Sequence, residues 1–76
     1  MPTIFDILGL RGFFFSGDHS PIHIHVVKGQ DSAKIAVFPE VKVIRNDGLK
    51  PKDLKRAIVL VEMYKDEIIE TWNQYH

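Results

Sequence analysis

Along residues 22–27 the side chains alternate in character. Ile22, Ile24 and Val26 fall on one side of an extended chain, while His23 and His25 fall on the other. A period of two predicts a strand, and Pro21, which has no N–H, suits its start. Residues 3–8 (TIFDIL) are rich in β-branched and aromatic side chains and predict another strand. The segment 9–12 (GLRG) reads as a turn, with Arg11 at its tip, so Phe13, Phe14 and Phe15 form the second arm of a hairpin. Gly17 and Asp18 end that arm. Residues 28–32 (KGQDS) predict a turn. Residues 33–38 predict a strand with Ala33, Ile35 and Val37 on one face and Lys34 on the other. A short strand over 41–44 follows, and then a loop at Asn46, Asp47 and Gly48.

From Pro51 the period becomes helical. Leu54, Ala57, Ile58, Val61, Ile68 and Trp72 recur at spacings of three and four, with Met63 or Tyr64 in the middle turn. Pro51 fits a first helical turn, where a missing N–H costs nothing. The sum is an α+β domain, with a small, mainly antiparallel sheet of four to five strands over residues 3–45. One long C-terminal helix over 51–75 packs on one sheet face. All 76 residues fit a single domain. One helix cannot cover five strands. The other sheet face, or the helix end bearing Trp72 and Tyr75, is therefore expected to meet a second copy or a small partner protein.

Composition narrows the function classes. Lys plus Arg and Asp plus Glu number 10 each, so the formal net charge is zero. A protein that coats nucleic acid by neutralising phosphates is usually basic, so only a local basic patch remains open for RNA. The chain has no cysteine, which removes disulfides, thiolate zinc ligands and thiol nucleophiles. Stability must come from packing, a metal or a partner. No basic region precedes the first apolar run, which Asp6 interrupts, and no stretch reaches the length of a membrane span. A cytoplasmic location without a membrane partner is expected.

The candidate chemistry lies in GDHSPIHIHVV, which holds three of the four histidines. His23 and His25 face the same way on a strand and are near enough for one ion to touch both. His19 from the preceding loop offers a third imidazole, and Asp18 a fourth ligand or an acceptor that orients a ring. Neutral imidazole binds zinc, nickel or copper without induced ionisation. The same rings suit proton transfer near neutral pH. His23 and His25 would be acid and base in phosphodiester cleavage, with Arg11 or Lys28 stabilising phosphoryl charge. A third reading needs no chemistry: the histidines are the wet side of a half-exposed strand, and residues 18–21 are an ordinary turn. His76 reads as a solvated end, and Trp72 as core or interface.

The opening MPTI, the G-x-R at Gly9 to Arg11, the aromatic run and above all D-H-x-P-x-H-x-H-V at Asp18 to Val26 resemble a family of small bacterial proteins. That family is known as a domain of unknown function, number four-one-six-zero. The final helix, with Glu62, Glu67, Ile68 and Trp72, is similar as well, and the resemblance spans essentially the whole chain. It implies a protein often encoded beside another small protein, in gene pairs that look like toxin–antitoxin modules. No activity carries over with it. Asp18, His19, Pro21, His23, His25 and Val26 match the motif one by one. Gly12 stands where a longer side chain is usual, and Tyr64 where a histidine is common.

The first expectation is one component of such a pair, with a histidine site acting on RNA. His23 and His25 would be its acid and base, His19 would support them and Arg11 would contact phosphate. The alternative is a non-enzymatic module that oligomerises or binds a neighbouring-gene protein through its sheet and helix. In that version Asp18, His19, His23 and His25 hold a divalent transition metal such as zinc or nickel.

Overall fold

Five strands and two helices follow in chain order: β1 (Thr3–Ile7), β2 (Leu10–Phe13), β3 (His23–Lys28), β4 (Asp31–Ala36), β5 (Lys42–Asp47), α1 (Pro51–Met63) and α2 (Lys65–Tyr75). The structure, a computed structural model, describes residues 3–15 and 17–76; the first two residues of the MPTI opening and Ser16 lie outside the described residues. Every strand pairs antiparallel with the next, giving the sheet order β1-β2-β3-β4-β5.

One sheet face carries the core. Phe5, Leu10, Ile24, Val26, Ala33 and Ile35 meet Ala57, Leu60, Val61 and Ile68 of the helices in one buried cluster. The alternation along β3 survives intact: Ile24 and Val26 are fully buried under the helices. Lys28 also lies on the helix side, where its Nζ reaches Asp53 Oδ1 of α1 at 3.0 Å. It is therefore unavailable to the histidine face, contrary to the expectation that Arg11 or Lys28 stabilises phosphoryl charge there.

The first turn is tighter than its sequence suggested. Leu8 and Gly9 both have positive φ, 54° and 80°, and join β1 directly to β2. Two such residues match the twist of an antiparallel pair, so Leu10, Arg11 and Gly12 are released into the strand. Gly12 is there for a packing reason. A Cβ at this position would collide with the ring of Phe5, which lies flat across β2. The strand ends at Phe13, earlier than expected. β5 runs longer than expected, through Asn46 and Asp47. The chain turns only at Gly48, and Asn46 accepts the Leu49 N–H and donates to the Leu49 carbonyl.

The single long helix is not what forms. It breaks at Tyr64 (φ −102°, ψ 10°) into α1 and α2. A straight helix of that span would run about 37 Å, whereas the whole molecule is 31 Å in its longest dimension. The break keeps the Tyr64 N–H on Leu60 O and the Ile68 N–H on Tyr64 O. The Tyr64 ring packs on Phe5 with centroids 5.5 Å apart. Beyond it α2 curls over the end of the sheet and buries Ile68 and Trp72. Trp72, expected to seek a second copy, is thus buried within its own chain, against Phe14.

Candidate functional site

The sheet face away from the helices carries a row of side chains set directly opposite one another. Phe13 of β2 pairs with His25 of β3, His25 with Lys34 of β4, and Lys34 with Arg45 of β5. His23 sits two residues before His25 on the same face, at the end of β3 where the loop 14–22 arrives. The two imidazoles stand edge to face with ring centres 5.2 Å apart.

The loop supplies the third group. Asp18 and Phe15 bond reciprocally: the Asp18 N–H donates to Phe15 O, and the Phe15 N–H donates to Asp18 Oδ2, both at 3.0 Å. This tight turn holds the carboxylate against the strand. Asp18 Oδ2 then lies 3.3 Å from His23 Nε2 and 3.4 Å from His25 Nε2. One ligand atom from each of the three residues lies within 4.8 Å of the others, close enough to bind one metal ion.

Hydrogen bonding fixes one proton of the cluster. His23 Nδ1 is 2.9 Å from the Pro21 carbonyl oxygen, which can only accept, so Nδ1 carries the proton. A neutral His23 then aims the lone pair of Nε2 at Asp18. His25 Nε2 is buried and, among the described residues, makes no hydrogen bond of good geometry, although Asp18 Oδ2 lies 3.4 Å away. An imidazole whose far nitrogen donates to a backbone carbonyl is the usual setting of a metal ligand. The two separations from Asp18 Oδ2 agree as well. A tetrahedral ion with bonds of about 2.0–2.1 Å sets its ligand atoms roughly 3.3–3.4 Å apart.

Electrostatics prepare the same groups. Burial pulls the Asp18 carboxyl upward, but the Phe15 N–H and the charges of His23 and His25 outweigh it and hold the group below its ordinary value. Burial pushes His25 below the usual imidazole value, against the pull of Asp18, and His23 and Lys34 add to the depression. At neutral pH Asp18 is therefore an anion and His25 a neutral ring, the states in which both donate electron pairs.

The walls are aromatic. Phe13 stacks on His25 at 5.7 Å and Phe15 meets it edge-on at 5.3 Å. Trp72 closes behind His23, which is only 4% exposed. His76 is exposed, as expected of an end, but it is not free. Its ring stacks on Trp72 at 4.3 Å, and its nitrogens contact the Trp72 carbonyl at 3.0 Å and the Asp18 carbonyl at 2.6 Å. It thereby ties α2 to the loop that carries the carboxylate. The four-residue spacing of Trp72 and His76 was the available signal, since it places both on one helix face.

The other expected residues lie further out. His19 is exposed and outside the three-residue convergence; it lines an adjoining cleft of about 260 Å³ with Gly17, Ser20, Pro21, Lys34 and Ile44 around Asp18 and His23. Arg11 is exposed, with its guanidinium 5.3 Å from the centre of the Phe13 ring. It approaches the cluster across that ring.

Fold and site together define a small α+β domain whose sheet face opposite the main core carries an Asp–His–His cluster. The chain belongs to the family described as Domain of unknown function (DUF4160), whose model matches residues 9–73. No curated protein and no solved structure matches it. Among the described residues, no helix is long and apolar enough to cross a membrane.

Proposed function

We propose that this domain holds one divalent transition-metal ion through Asp18 Oδ2, His23 Nε2 and His25 Nε2. The observation that carries the reading is the buried Nε2 of His25, which makes no hydrogen bond of good geometry among the described residues and converges with His23 Nε2 on a single carboxylate oxygen. With His23 neutral and no ion, its Nε2 lone pair faces an anionic oxygen, an arrangement that costs free energy. Two imidazoles and one carboxylate suit zinc and nickel better than magnesium or calcium, which prefer all-oxygen shells. Three protein ligands leave a fourth position open, the pattern of metal sites that bind or activate a further ligand.

A second reading rests on the neutral state of His25. A ring held neutral beside a carboxylate is a general base, and with His23 as its partner it suits cleavage of RNA without a metal. The gene-pair setting implied by the family resemblance gives either reading a context, as one member of a toxin–antitoxin-like pair.

The deciding experiment strips the protein with a chelator and titrates it with zinc. One ion per chain is expected, with binding lost in His25→Ala and kept in His19→Ala. Equal zinc content in wild type and in a His23→Ala, His25→Ala double variant would overturn the metal reading. RNA cleavage that survives the chelator and disappears in His25→Ala would establish the second.

A further inference from the structure

We infer that the cleft beside the cluster binds the oxygens of a phosphate group, with one oxygen at the open metal position and Lys34 holding the charge; this rests on the metal reading above. The cleft meets the cluster along Asp18 and His23. Lys34 lines it from β4, directly opposite His25. Its cross-strand neighbour Arg45 is occupied, with Nε 2.9 Å from Asp47 Oδ1. Lys34 has no carboxylate partner among the described residues.

The charge count selects the anion. Among the described residues, Asp18 is the only carboxylate on the cleft wall. A divalent ion less that one negative charge leaves +1, and Lys34 raises it to +2. A phosphate group carries about −1.5 to −2 at neutral pH and matches that balance. A carboxylate ligand, at −1, would leave one positive charge uncompensated. His19 and Ser20 on the same wall bring side-chain donors to the remaining oxygens. The size of the cleft restricts what enters. At about 260 Å³ it falls below pockets that enclose drug-sized ligands, roughly 300–1,000 Å³. It therefore takes free phosphate, or the terminal phosphate monoester of a nucleotide whose bulk stays outside.

The test uses protein loaded with cobalt(II), whose visible spectrum reports changes in the ligand shell. Inorganic phosphate and uridine 5′-monophosphate are titrated separately. Phosphate, the nucleotide or both should shift the cobalt bands, and which does so identifies the source. Lys34→Met keeps the aliphatic stem and should leave cobalt affinity unchanged while weakening anion binding by about tenfold. Lys34→Arg should restore it. Cobalt binding without a response to either anion would overturn the inference while leaving the metal site standing. An undiminished anion affinity in Lys34→Met would overturn it equally. If no cobalt spectrum develops in the wild type before any anion is added, the metal reading fails first and this inference falls with it.

Discussion

The indole of Trp72 stands edge-on to the imidazole of His23, with ring centres 5.3 Å apart. Helix α2 is therefore the back wall of the cluster as well as a cover for the sheet. Trp72→Ala should cost about 3–5 kcal/mol of stability, as large aromatic truncations in cores do. It should also weaken zinc binding, because His23 loses the surface that holds its ring. Trp72→Phe should recover most of both. Urea denaturation and zinc titration of the two variants provide the check, and an alanine variant that folds with unchanged zinc affinity would separate the wall from the site.

Metal should stabilise the fold. At zinc one hundredfold above Kd, a ligand that binds only the native state adds about 2.7 kcal/mol. Thermal melts with and without zinc should show a rise in Tm that a chelator reverses. Asp18→Asn keeps an acceptor for the Phe15 N–H but removes the charge, so it should fold and lose most of that rise.

Gly12 should resist enlargement. Gly12→Val would drive a branched side chain into the Phe5 ring, and overpacking of this kind costs roughly 1–3 kcal/mol. A Phe5→Leu replacement in the same chain should relieve part of that penalty. The readout is a double-mutant cycle by chemical denaturation, in which simple additivity would show that the two residues do not collide.

The metal-free protein should weaken on acidification in two stages. Folded His25 holds its proton less tightly than the unfolded ring. Its contribution is therefore complete above the unfolded value of about 6.5 and declines as pH falls through it toward the lower folded value. Asp18 is also depressed. Its contribution is present above the unfolded carboxylate value of about 3.9 and disappears as pH drops through the lower folded one. Denaturation midpoints measured between about pH 7 and pH 5 should fall in the wild type and fall less in His25→Asn.

Much of this arrangement can be read from residue order, because its main signals are local. Alternation after Pro21 is enough to send Ile24 and Val26 inward and the two imidazoles outward, whatever the rest of the chain does. Pro51 and the three-and-four spacing likewise predict where helix begins. What escapes depends on distant neighbours. Nothing near Gly12 reveals that a ring from β1 occupies the place of its side chain. The break at Tyr64 has neither glycine nor proline to announce it; it follows from the Phe5 contact and from where the sheet ends. The choice of Asp18 as third member depends on the reciprocal Phe15 bonds, and the docking of His76 on Trp72 needs the path of α2.

The cluster draws on both ends of the chain's folding programme. Its donor atoms sit early in the sequence, on one loop and one strand, yet the surface behind His23 arrives with Trp72. A growing polypeptide emerging from the ribosome would carry every donor long before that surface exists. On the proposed metal reading, competence to capture an ion thus becomes a late event, reserved for molecules that have finished assembling.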